Sequence, residues 1–291
     1  MYANQCIDVL KNVLETPKKF PEANMDLTKT LIGEIVKCHK FHFEDLAGIR
    51  KLINVTAENS SSLKEFIILP YDKVWFDFAK TNAADYSTDG APFEAFMNLG
   101  FYIERQQNEF TVLAFMKILD NYWVPLSHLF TFDPKHLKQI EILKYTQLTT
   151  KEKTPFEKSS TEVTPMITKM IGGFIGIIII SCLILSCKNI FLEKIDPPPK
   201  LNKARIKRGK TIGYSYNVLS LKVFKPNQNK NEKSEMTETH NRISWCRAHF
   251  KIYTRDNPLF GKYVGTWLWH SHLRGQNKDG FADKDYSVES K

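Results

Sequence analysis

Between Lys200 and Lys210, six of eleven residues are cations: Lys200, Lys203, Arg205, Lys207, Arg208 and Lys210. Phosphate recognition needs that local density, because each phosphate neutralised releases counterions and adds a salt-dependent increment to binding. A helix here places Lys200, Lys203 and Lys207 near one face, with Arg205 and Arg208 beside them. The last fifty residues add Arg242, Arg247, Lys251, Arg255, Lys262 and Arg274, interleaved with Trp245, Phe250, Tyr253, Trp267 and Trp269. Aromatic faces between cations suit the stacking of unpaired bases. For Trp267 and Trp269, which alternate along one run, core burial is the stronger expectation. The expected contacts to nucleic acid or another partner are Lys203, Arg205, Lys207, Arg208, Lys210, Arg247 and Arg274, with His249 orienting or touching a base.

A second chemistry is thinner. His270 and His272 are two apart and share a face if the segment is a strand. With Cys246 or His249 they offer nitrogen and sulfur of the kind zinc takes. A strand through Cys246 and His249 sends those two side chains to opposite faces, so the four do not converge without a bend. A metal-dependent nuclease built on His249, His270 and His272 is therefore the alternative reading, and no metal or other cofactor is expected. The chain has no P-loop, no nucleophile elbow, no His-Glu-x-x-His and no pair of Cys-x-x-Cys motifs. The expectation leans away from an enzyme.

Charge is divided unevenly along the 291 residues. Residues 1–168 carry 19 Lys and Arg against 22 Asp and Glu, a net of −3, while residues 188–291 carry 21 against 10, a net of +11. An anionic partner for the C-terminal third follows, with nucleic acid first and an acidic protein or a membrane surface next. Hydrophobic residues at 42% and charged residues at 25% match ordinary globular usage and exclude wholesale disorder. Five scattered cysteines make no disulfide framework and point to a reducing compartment.

The elements that must position these residues are legible in outline. Apolar residues recur at helical spacing in 4–16 (Ile7, Leu10, Val13, Leu14) and in 25–54 (Leu27, Leu31, Ile35, Val36). Phe66–Leu69 and Val74–Phe78 read as strands, and Phe101–Arg105 with Phe110–Met116 frame a hairpin. Residues 136–147 read as a short helix. Asn59–Ser62, Asp85–Pro92 and Asn227–Thr239 read as loops, and the polar, proline-containing 149–165 as a linker. Strands are expected at Ile190–Ile195, Tyr214–Phe224, Trp245–Tyr253 and Tyr263–Leu273, with a basic helix at Lys200–Arg208 stopped by Gly209. Met170–Cys187 runs for 18 residues without a charge, about 27 Å as a helix, which fits a membrane span or a core helix buried on all sides. It lacks flanking Trp or Tyr anchors.

The segments Asn189–Lys194, Pro197–Lys210 and Tyr216–Leu219 resemble a family of proteins encoded by phages, plasmids and related mobile elements. One branch of that family is the type V-A anti-CRISPR group that blocks biogenesis of an effector nuclease. Leu69–Phe78 is similar to its Leu-Pro-initiated strand. Arg247–His249 is similar to its Arg-Gly-His element, with Ala248 in place of glycine, and Leu273–Gly275 and Lys284–Tyr286 to its ending. The resemblance is best over 189–291 and implies that the apolar stretch is a soluble-domain helix, and for the anti-CRISPR branch that a nascent nuclease chain is recognised. The expected chain is α+β: an N-terminal helical region (1–60), a β-rich region (61–148), a linker (149–165), and a buried helix at 167–187 leading into a basic β-rich part (166–291). The sheet is expected to be curved and mostly antiparallel. The expected protein is cytoplasmic and binds RNA, a translation complex or an acidic protein. A single-span membrane protein with a basic cytoplasmic domain is the remaining alternative.

Overall fold

In the computed structural model, residues 2–19, 25–44, 49, 52–53, 63–79, 98–118, 122–136, 140–144, 160–221, 244–246 and 248–274 are described. The expected loops at Asn59–Ser62, Asp85–Pro92 and Asn227–Thr239, and the linker as far as residue 159, lie outside them. The described helices are α1 (Ala3–Glu15), α2 (Met25–Lys37), α3 (Ser160–Ser186) and α4 (Pro199–Lys207). The strands are β1 (His39–Phe43), β2 (Lys73–Ala79), β3 (Asn98–Gln106), β4 (Glu109–Ile118), β5 (Tyr122–Phe132), β6 (Ile140–Lys144), β7 (Ile190–Ile195) and β8 (Tyr216–Leu221), followed by β9 (Ser244–Cys246), β10 (His249–Tyr253), β11 (Gly265–Trp269) and β12 (His272–Arg274). The chain is α+β. Contacts divide it into two units: Met1–Ser186 with Ile190–Leu221, and Cys187–Asn189 with Lys222–Lys291.

The first unit is built on one eight-stranded sheet in the order β6-β5-β4-β3-β2-β1-β8-β7. Pairing is antiparallel except at β1, which runs parallel to both β2 and β8. Strands alternate their side chains between two apolar faces. On one face Trp75, Tyr102, Leu113, Phe115 and Trp123 meet Ala3, Cys6, Ile7, Leu10 and Val13 of α1 and Leu31 and Ile35 of α2. Helical spacing in α1 and α2 makes those contacts possible, since residues three and four apart form one stripe. On the other face Phe41, Phe76, Phe78 and Phe101 are fully buried. The Phe101 ring stands edge-on to Phe174 of α3, at 5.1 Å between centroids.

Helix α3 carries the apolar stretch. Thr168–Ser186 is, among the described residues, one helix long and apolar enough to cross a membrane, and 61% of that window is buried within the fold. Met170, Ile171, Phe174, Ile178, Cys182 and Leu183 are all buried. More than half of the window is thus packed against the fold.

Several local expectations are corrected. The helix expected over 25–54 stops at Lys37, and His39–Phe43 becomes β1, where Phe41 and Phe43 pack on Phe76 and Phe78. Lys64–Phe66 is a single 3-10 turn instead of the start of a strand. The helix expected at 136–147 is replaced by β6, paired with β5 from Phe132↔Ile140 to His128↔Lys144. The run 245–253 breaks into β9 and β10, which pair with different partners. The hairpin appears with a two-residue turn, Gln107–Asn108, in which Gln107 takes a positive φ of 56°.

In the second unit, β10 pairs with β11 and β9 with β12, each pair antiparallel. Tyr253, Leu259 and Trp267 form its small core, with Trp269 packed against them. Asn189 anchors the start of this unit by exchanging hydrogen bonds with the Leu268 backbone, at 2.8 and 3.1 Å.

Candidate nucleic-acid interface

Helix α4 begins with Pro199 at its first position, where a missing N–H does no harm. It ends in a Schellman motif: Gly209 N–H donates to Ile206 O and Lys210 N–H to Arg205 O, both at 3.0 Å. Gly209 sits at φ +64°, the left-handed conformation this cap requires. The expected basic helix and its glycine stop are therefore in place.

Four of the five cations expected here point to solvent. Lys203, Lys207, Arg208 and Lys210 are exposed, as is Lys200. Lys200, Lys203 and Lys207 recur at three- and four-residue spacing and form one ridge along the exposed face.

Arg205 does something else. Its Nη2 donates to Asp8 Oδ2 of α1 at 2.9 Å and its Nε to the Thr211 carbonyl. The other Asp8 oxygen accepts the Thr211 N–H at 2.8 Å. Asn202 closes the loop by accepting from Gly213 N–H at 2.8 Å and donating to Gly213 O at 3.3 Å. The guanidinium is thus spent internally, and it fastens the ridge to α1. Sequence reasoning missed Asp8, which lies 197 residues away in the chain.

The remaining expected contacts lie in the second unit. His249 is half-buried on β10 opposite Trp269. Arg274 ends β12, with its side chain outside the described residues, as is all of Arg247. His270 is exposed after β11 and His272 begins β12 opposite Cys246. No group of three His, Cys, Asp or Glu able to hold a metal occurs among the described residues. His249 pairs into one two-stranded sheet and His272 into the other. Trp267 is buried at 4% exposure and belongs to the core.

A row of buried charge that the sequence did not advertise crosses the sheet beneath α1. Asp77 is completely buried; its Oδ2 accepts the Tyr2 N–H at 2.8 Å and its Oδ1 the Trp75 indole N–H. Lys40 is also buried and donates to Val36 O at 3.0 Å and Cys38 O at 2.8 Å, while its ammonium lies 4.7 Å from the Tyr214 ring centre. Asp77 thus satisfies a backbone donor at the start of α1, and Lys40 satisfies carbonyls at the end of α2, each with the sign the helix dipole favours. His42 Nδ1 lies 4.0 Å from Asp77. Burial raises the Asp77 carboxyl to about 6 and lowers the His42 imidazole to about 4. Carboxylate and ammonium here act as structural fasteners for helices, and the signal in sequence was an aspartate inside an otherwise apolar strand, Val74–Phe78.

Compared with family models, curated proteins and solved structures, the chain has no match.

Proposed function

We propose that this chain is a non-catalytic, cytoplasmic RNA-binding protein of a mobile element, anti-CRISPR-like in its role, and that the α4 ridge is its principal phosphate contact. One observation carries the reading: Lys200, Lys203, Lys207, Arg208 and Lys210 stand exposed together on an element clamped to α1 through Asp8. A flexible basic tail loses entropy when it binds, whereas cations on a fastened helix lose less and hold a fixed spacing. Among the described residues, no ion pair engages Lys203, Lys207, Arg208 or Lys210, so no internal carboxylate competes with a phosphate. An acidic protein surface, such as a nascent chain, offers the same charge but not the regular anion repeat of a nucleic-acid strand. The basic segment of the resemblance, Pro197–Lys210, coincides with this element.

The test is fluorescence anisotropy with a labelled single-stranded RNA across a salt series. Binding that weakens steeply as salt rises, and that is lost in Lys203→Glu/Lys207→Glu, supports the reading. Absence of binding at low salt, or binding indifferent to salt, refutes it.

A further inference from the structure

We infer that the tip of the β10–β11 hairpin is a stacking platform for an unpaired base. The inference rests on the RNA reading above but uses other residues in the second unit. Its starting point is a backbone anomaly. Phe260 has φ +50° and Gly261 φ +69°, and Lys262 N–H donates to Leu259 O at 3.1 Å. Two left-handed residues inside a four-residue hydrogen-bonded turn are ordinary in hairpins, but Asn, Asp or Gly normally fills the first of them. A bulky residue in that conformation is a genuine outlier.

Packing accounts for it only in part. Phe260 remains 48% exposed, so about half of its surface stays in solvent despite the unfavourable backbone. Strain of this kind persists where surrounding structure enforces it, and it concentrates at sites that bind. The enforcement is visible below the tip. Leu259 N–H donates to Tyr263 O at 2.8 Å, Tyr263 N–H returns a bond to Leu259 O at 3.0 Å, and Leu259 is buried beside Tyr253 and Trp267. The Tyr263 ring rests 5.6 Å from Trp267. The turn is therefore a rigid post that presents Phe260 outward.

Its surroundings select the ligand. Tyr263 is also exposed, and Arg255 and Lys262 in the same loop are exposed cations. An aromatic face with cations a few residues away matches single-strand recognition, where a base stacks and the flanking phosphates meet positive charge. A duplex keeps its base faces covered and cannot use the ring.

Phe260→Asn tests this directly, because Asn suits the turn and removes the ring. Melting temperature is expected to hold or rise, affinity for a single-stranded RNA to fall at least about fivefold, and affinity for a blunt RNA duplex to stay unchanged. Phe260→Tyr is expected to retain single-strand affinity. If Phe260→Asn binds single strands like the parent while Lys203→Glu/Lys207→Glu does not, the platform is overturned and the ridge stands. If the parent binds neither RNA at low salt, the RNA reading falls and the platform with it. A lowered melting temperature in Phe260→Asn makes the ring a packing residue and overturns the platform.

Discussion

Asp8 shows how one side chain can decide whether a cluster of charge is usable. It receives Arg205 and the Thr211 N–H on separate oxygens, with both side chains mostly shielded from solvent. Charge-assisted hydrogen bonds of this kind are worth more than an exposed pair, so Asp8→Ala should lower stability by about 2 kcal/mol. Chemical denaturation measures it, and RNA affinity should drop more than the stability loss alone explains. Asp77 and His42 offer a second test, because their proton equilibria act in opposite directions. Asp77 is raised to about 6 by burial, so the stability it contributes is present below the ordinary carboxylate range and lost as pH rises through about 6. His42 is lowered to about 4, so its contribution is present above the ordinary imidazole range and lost as pH falls through about 4. The two slopes oppose each other in the parent. In urea titrations between these limits, Asp77→Asn should become more stable as pH rises, and His42→Gln less stable. The thiols behave more simply: burial lifts Cys38 to about 11 and Cys187 to about 12, and Cys6 and Cys182 are completely buried. Native-state alkylation read by mass spectrometry should therefore mark the half-buried Cys246 first.

Among the elements, β2 and β3 show how tightly the sheet is packed under α1. A Cβ on Gly100 would lie 2.5 Å from Cζ2 of Trp75, and the indole is fully buried with no room to withdraw. Gly100→Ala should cost about 1–3 kcal/mol by overpacking, visible as a lower urea midpoint with an unchanged slope. Elements whose residues speak for themselves were legible from sequence: α1 through Ile7, Leu10 and Val13, β2 through its aromatic run, and α4 through Lys200–Arg208 with Gly209 behind it. β1 was not, because Lys40 and His42 give His39–Phe43 a polar look that is explained only by a helix end and a buried carboxylate brought in from elsewhere. β6 was hidden similarly, since a short strand is named by its neighbour β5 and not by its own pattern. The ridge itself was readable because its charge is dense along the chain. Arg205's inward turn was not, since it depends on Asp8. Nor was the hairpin tip, because a phenylalanine in a position normally taken by asparagine gives no turn signal.

For the whole molecule, the described residues of the basic third hold exposed cations on α4 and around the β10–β11 turn, with Lys188, Lys194 and Lys251 exposed besides. If both touch RNA, each should carry its own share of the salt dependence. Removing Lys203 and Lys207 together should flatten the slope of log affinity against log salt by about 1.4, and removing Arg255 and Lys262 by a similar amount. Equilibrium binding at several salt concentrations separates the two.

β1 also has an implication for how the protein is made. It lies in the middle of the sheet, yet one of its two neighbours is contributed by residues close to Asn217. During synthesis that flank stays bare while the long intervening stretch is translated, so an unpaired inner strand is exposed to other nascent copies for most of that interval. A chain cut just before Tyr216 should therefore accumulate as insoluble material instead of a smaller folded body, and raising the elongation rate should improve the yield of the intact protein.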